Sequence, residues 1–480
     1  MGRSVLFNAV GLGTPLLVAV YTIPVLIDGL GTARFGLLTL VWAVVSYFGL
    51  FDLGLGRALT RQLAVETASG RVERIGPMLG TAGVIMLALG VLGALLMAAA
   101  APWAPRLISG VPDAGELTLA MLAMALALPA IVLTSGMRGV LEAKHAFGLV
   151  NLIRVPMGLF TFVGPVVVLW SIGPRLDWIA AVLAAGRVMA CLTHWLAITC
   201  VYRGRMPRLA LQREFVRPLL SSGGWLTVSN LISPLMGYAD RFVIAALITA
   251  SAVAWYATPH ELVSKLWIVP GALTAVLFPA FAAQSVAGVA QTPRLFGRAT
   301  AALFALLLPL TAGLALFASE LLALWIDAAF AAQSAMLLQI FAFGTLVNAL
   351  AHVPFTLLQG VGAARTTATI HAIELPLFLL ALVWMTQAYG LMGAAAAWLL
   401  RICADTTLMF ECCRRQQGWS WTTSVRRHCG LLAVASGLAF AGIALSSATA
   451  RAAWLLGIVA LATAALAHEF RQTRTAEAAH

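Results

Sequence analysis

Apolar runs about as long as a bilayer is thick alternate with short polar gaps along the whole chain. Fourteen runs can be delimited, at 5–27, 36–56, 76–101, 116–137, 149–172, 178–200, 219–246, 253–280, 299–319, 333–358, 366–388, 391–411, 429–449 and 452–468. An α-helix crosses the hydrocarbon core with roughly 20 apolar residues. In lipid each backbone polar group must be satisfied within its own segment or a closed barrel. The pattern therefore predicts an all-α integral membrane protein of about 14 transmembrane helices. Prolines recur inside the runs, among them Pro24, Pro129, Pro156, Pro165, Pro354 and Pro376. They predict kinked helices whose freed carbonyls are satisfied by neighbours.

The polar gaps are not equivalent. Arg203, Arg205, Arg208, Arg213 and Arg217 crowd one gap, whereas the next, 248–252, has no charge. Of the 30 lysines and arginines, 21 fall in the gaps and tails of one side and only four, Arg34, Arg106, Arg175 and Arg451, on the other. Cytoplasmic loops carry the excess of basic residues, so both termini are expected in the cytoplasm, with the first run an uncleaved span. No gap is long enough for a folded extramembrane domain, which weighs against a membrane-embedded glycan polymerase or ligase.

Composition agrees with the pattern. Hydrophobic residues make up 61% of 480 and charged residues 10%, with a mean hydropathy of +0.95. A water-soluble surface cannot be built from that mixture. The net charge of +12 sits beside the apolar runs, so its expected partner is the anionic inner leaflet rather than nucleic acid. The six cysteines lack the spacing of a zinc site, and His260–Glu261 has no second histidine one turn on. No metal and no cofactor are expected, and the absence of a Gly-Lys-Ser phosphate loop argues against ATP hydrolysis.

A weak internal repeat relates the first pair of runs to the seventh and eighth. It suggests an N-terminal lobe at 1–218 (spans 1–6), a C-terminal lobe at 219–428 (spans 7–12) and a final segment at 429–480 (spans 13–14 and a cytoplasmic tail). Repeats of this kind put a transporter's substrate site near mid-membrane.

The stretch IDGLGTARFGLLTLVWAVVSYFGLFDLGLGRALTRQLA (27–64) resembles the opening of bacterial polysaccharide flippases of the Wzx type, within the multidrug/oligosaccharidyl-lipid/polysaccharide exporter superfamily. RGVLEAKHAFGLVN (138–151), YADRFVIAALITASAVAWYA (238–257), LFPAFA (277–282) and YGLMGAAAAWLLRICAD (389–405) extend the resemblance over most of residues 1–410. It implies a two-lobed flippase in the bacterial cytoplasmic membrane. The implied cargo is an undecaprenyl-diphosphate-linked oligosaccharide for surface polysaccharide, moved from inner to outer leaflet, with glycosyltransferases and a polymerase as working partners. A cation-coupled multidrug exporter of the same superfamily is the first alternative.

Charges inside spans are costly and mark function. Five cations qualify, Arg154, Arg187, Arg241, Lys265 and Arg401, with the acids Asp52, Asp240, Glu261, Glu374 and Asp405. Glu261 and Lys265 are spaced i,i+4, as are Arg401 and Asp405, so each pair can neutralise itself on its own helix. Asp240 and Arg241 are adjacent, and an outer-interface position where Arg241 snorkels is expected. Arg187 has no acid on its helix and lies on the stripe Ala180, Ala184, Arg187, Cys191, His194. It is the leading candidate for the diphosphate, since guanidinium binds phosphate oxygens two at a time. Arg154 follows, with Lys265, Arg401 and Arg241 as further lumen cations. Polar stripes at Asn348, His352 and Gln359 and at Ala257, Glu261 and Ser264 suit a hydrated cavity. Glu374 with His371, and then Glu261 and Asp405, are the candidates for coupling to a proton or sodium gradient.

Overall fold

The 53 helical residues Ala364–Gln416 would span about 80 Å if straight, at 1.5 Å per residue, far more than the roughly 30 Å hydrocarbon core. It is two spans joined at Gly390, whose φ of 59° and ψ of −139° interrupt the helix in a region side chains avoid. Gly2–Phe48 is broken in the same way at Gly31 (φ 75°, ψ 159°). A glycine break thus stands where the sequence suggested a loop between spans 1 and 2 and again between spans 11 and 12.

The computed structural model describes residues 2–48, 55–144, 146–202, 210–221, 224–287, 292–419 and 433–477, and the regular structure among them is entirely helical. Two compact units divide the chain, Met1–Ala254 and Trp255–His480. Ten helices among the described residues are long and apolar enough to cross a membrane, two of them the broken ones. The all-α, multi-pass architecture expected from hydropathy is the one observed.

The first unit contains α1 (Gly2–Phe48), α2 (Leu55–Ala68), α3 (Ile75–Ala100), α4 (Ala104–Leu107), α5 (Ala114–Ala143), α6 (Phe147–Ser171), α7 (Leu176–Val201), α8 (Arg213–Ser221) and α9 (Gly224–Leu247). Helix α5 is its centre and packs on α2, α3 and α7, while α6 packs on α1 and α7. Leu59, Met78, Met86, Val132, Leu141, Val150 and Ile198 form the core of this unit. Hydroxyls join helices where apolar contact gains little over lipid. Thr60 on α2 donates to Gly139 O on α5 at 2.9 Å, and Thr81 on α3 receives Gln212 N at 3.0 Å from the segment before α8. Asp113 caps α5, accepting from the amides of Gly115 and Glu116 at 2.7 and 3.1 Å.

Helix α10 (Ala250–Ser264) begins in the first unit and continues into the second. There follow α11 (Ile268–Ala287), α12 (Thr292–Leu316), α13 (Ala318–Trp325), α14 (Ala328–Gly360), α15 (Ala364–Gln416), α16 (Ala433–Ala444) and α17 (Ala448–Glu477). The single span expected over 253–280 is found at Ala250–Ala282, where a short 3₁₀ turn at Lys265–Trp267 marks the passage from α10 to α11. Helix α14 is the axis of the second unit, packed on α11, α12, α13 and α15, with α17 laid on α12. Phe281, Leu303, Leu307, Leu346, Val353, Leu357 and Met409 make up that core.

The outward faces are apolar. Leu126, Leu324, Leu380, Trp384 and Leu461 are between 64% and 89% exposed, a surface that lipid covers at no cost. Asp52, Arg203, Arg205 and Arg208 lie outside the described residues.

Candidate functional site

In the first unit, α7 is divided by its helical period. Ala180, Ala184 and His194 are buried and Arg187 and Cys191 half-buried, whereas Met189, Leu192 and Leu196 are 49–58% exposed. Arg187 therefore points into the unit among small and polar side chains. Its Nη2 donates to Thr161 Oγ1 on α6 at 3.1 Å, and its buried Nε has no hydrogen-bond partner among the described residues. No described carboxylate is within ion-pairing distance of it. A guanidinium so placed can take a further anionic ligand with the donors it has left.

The other first-unit cations differ. Arg154 is exposed and donates to Asn151 Oδ1 at 2.7 Å, one turn back on α6. Arg241 does not snorkel: it and Asp240 are 2% and 1% exposed, and its guanidinium lies 5.2 Å from the Tyr238 ring centroid. The snorkelling expected of it is thus corrected. Packing around α9, with the backbone amide of Arg241 on Asp240 Oδ1 at 2.8 Å, holds both residues inside.

The second unit gathers the titratable residues. His371 and Glu374 lie one turn apart before the Gly390 break, and Asp405 reaches them from beyond it. Donor atoms of the three are all within 4.8 Å of one another, with His371 Nε2 3.7 Å from Asp405 Oδ1. All three residues are buried, and neither Glu374 oxygen accepts a hydrogen bond from a described residue. The Asp405 carboxylate faces His371, while the Arg401 guanidinium sits 5.3 Å from the Phe378 ring centroid and acts electrostatically on Asp405. Two buried carboxylates side by side are costly as two anions, and either a proton shared between them or a cation would relieve that cost.

Glu261 and Lys265 do pair, Nζ to Oε2 at 2.9 Å, at the 3₁₀ turn. The polar stripe on α14 is partly satisfied by its own backbone, His352 Nδ1 lying 3.0 Å from Asn348 O.

One charged cluster was missed. Arg34, just past the Gly31 break, grips Glu116 with two bonds of 2.9 and 3.1 Å, and Glu116 also accepts from Leu176 N at 3.4 Å. Arg175 adds an ion pair to Glu116 at 3.8 Å and another to Asp177 at 2.6 Å. Hydrogen bonding to Asp177, then its charge, raises the Arg175 pKa above the ordinary arginine value. The available signal was the spacing of Asp113 and Glu116, a capping pattern that puts Glu116 in the first turn of a helix.

Residues 1–284 match the family model described as "Polysaccharide biosynthesis protein". A Shigella flexneri protein named "Putative O-antigen transporter" is 29% identical over 414 residues, covering 85% of this chain and 96% of that one. Among solved structures, an inward-facing multidrug resistance MATE family transporter of the MOP superfamily superposes with a TM-score of 0.72 at 16% identity, over 85% of this chain and 97% of its own. A MOP superfamily transporter from Pyrococcus furiosus superposes with a TM-score of 0.61 at 15% identity, over 86% and 95%. At these identities the structural likeness establishes the transporter fold.

Proposed function

The chain belongs to the polysaccharide biosynthesis protein family, and from that premise we propose that it is a flippase for an undecaprenyl-diphosphate-linked oligosaccharide. A transporter role is common ground for the family and the fold. The finer reading is that the lipid-linked glycan, made by glycosyltransferases on the inner leaflet of the cytoplasmic membrane, is carried to the outer leaflet by alternating access and passed to a polymerase.

The observation that carries this reading is Arg187. An inward-facing guanidinium, held by one threonine and free of acids, matches a diphosphate and repels a cationic drug. Arg154, exposed near one end of α6, is assigned to first capture of the headgroup. Coupling is assigned to the buried carboxylates Glu374 and Asp405 with His371, which take up a proton or sodium ion. Lys265 neutralises Glu261, so neither is needed as a carrier.

A second reading, a cation-coupled multidrug exporter, draws its support from that same pair of buried acids. Deletion of the gene separates the two. The flippase reading expects lipid-linked oligosaccharide to accumulate in the inner leaflet with loss of surface polysaccharide. Unchanged delivery to the outer leaflet in a strain without a redundant exporter, together with new sensitivity to cationic drugs, would replace it with the exporter.

A further inference from the structure

We propose that His371, Glu374 and Asp405 form a binding site for one first-row divalent transition-metal ion of the zinc class, which fastens the two halves of α15 across Gly390. The donor set is one imidazole nitrogen and two carboxylate oxygens. That mixture suits Zn²⁺, Co²⁺ or Mn²⁺, whereas Mg²⁺ and Ca²⁺ favour all-oxygen shells.

The geometry is close to what one ion needs. Two donors each about 2.0–2.1 Å from a zinc ion can be at most about 4.1 Å apart. His371 Nε2 and Asp405 Oδ1 are 3.7 Å apart, inside that span. The widest separation in the trio is bounded by 4.8 Å, which side-chain rotation closes. His371 and Glu374 share a helix face at i,i+3, so one rotamer each aims both at the same point.

Burial makes the arrangement more than a chance grouping. His371, Glu374 and Asp405 are 7%, 6% and 7% exposed. Both Glu374 oxygens, Asp405 Oδ1 and His371 Nδ1 are buried and meet no donor among the described residues, the two carboxyls facing each other so that only a shared proton or a cation can satisfy them. Groups so dehydrated are ordinarily satisfied, and a shared cation would satisfy the carboxylates at once. Arg401 acts electrostatically on all three, which keeps the metal-free acids tolerable without supplying a ligand. Three protein ligands also leave a fourth position for water.

The ligands come from both sides of the Gly390 break, so a bound ion cross-links two membrane-spanning segments. The inference concerns binding and does not depend on the cargo. If the same acids carry the coupling ion, zinc competes with it and arrests transport.

The test uses the full-length protein in detergent, titrated with Co²⁺ and then Zn²⁺. The expected result is one equivalent of Co²⁺ with ligand-field absorption but no sulfur-to-cobalt charge transfer, displaced by Zn²⁺ with a rise in Tm. Asp405→Asn and His371→Phe should each weaken binding at least about tenfold, while the Cys412→Ser/Cys413→Ser double variant keeps it. Absence of a stoichiometric site, a thiolate charge-transfer band, or unchanged binding in both ligand variants overturns the proposal. Should the variants fold poorly, the wild-type cobalt spectrum decides alone. Metal binding that persists where no glycan flipping is found counts against the flippase reading and leaves the metal site standing.

Discussion

Arg34 and Glu116, 82 residues apart in the chain, meet in a two-pronged ion pair that joins α1 just past its Gly31 break to the first turn of α5. Glu116 is 8% exposed and sits where the helix N-terminus favours an anion. It also accepts from the amide that opens α7, so three helices converge on one carboxylate. Removing its charge leaves the partly exposed Arg34 guanidinium without its main counter-charge. Glu116→Gln is expected to cost about 1–3 kcal/mol, below the figure for a fully buried pair because Arg34 is partly exposed. The check is the Tm of the purified variant. Arg34→Lys, which keeps charge but loses the fork, should lie between Glu116→Gln and wild type.

Hydropathy made most of the fold legible, because a bilayer admits few alternatives to apolar helices. The inward stripe on α7 was legible too, since the 3.6-residue period alone puts Ala184 and Arg187 on one side and Met189 and Leu192 on the other. Glu261–Lys265 is local, and spacing sufficed to find it. Contacts between distant segments were hidden. Arg34 reads as one loop charge among others until α5 is brought against α1. Asp405 satisfies i,i+4 spacing to Arg401, yet nothing local shows that it also meets His371 from another span. Arg241 was expected to snorkel because nothing in its own helix shows what packs over it.

Gly390 is the joint between the two halves of α15, with a φ of 59°. Alanine there meets no neighbouring atom, so any cost is conformational. Gly390→Ala is expected to lower stability by about 1–3 kcal/mol. It should also disturb the approach of Asp405 to His371. Thermal unfolding measures the first effect, and Co²⁺ affinity measures the second. An unchanged Tm would mean that the joint tolerates a side chain.

Glu261 and Lys265 are each about one-third exposed on their side chains, and their pairing predicts a specific pattern of rescue. Glu261→Gln alone strands the lysine, and Lys265→Met alone strands the acid. The double variant strands neither. Transport by the double variant should exceed that of either single one, as expected of charges whose role is mutual neutralisation. A double variant as inactive as Glu261→Gln would instead make Glu261 a working acid.

Arg187 separates the diphosphate reading from a structural one. If its guanidinium holds the cargo, Arg187→Ala should lose a charged hydrogen bond of about 1.5–3 kcal/mol, roughly a ten- to hundredfold fall in transport. Arg187→Lys should retain part of the activity, because a point charge still attracts phosphate but cannot grip two oxygens. Thr161 holds Nη2 at 3.1 Å, so Thr161→Val should give a smaller loss by letting the guanidinium drift. The decisive measurement is flipping of lipid-linked oligosaccharide in proteoliposomes at matched protein amounts, alongside Tm. A structural arginine would lower Tm in Arg187→Ala while the folded fraction transports normally. Loss of a binding arginine leaves Tm nearly unchanged, because no described acid is left unpaired, and lowers flipping by roughly the predicted ten- to hundredfold.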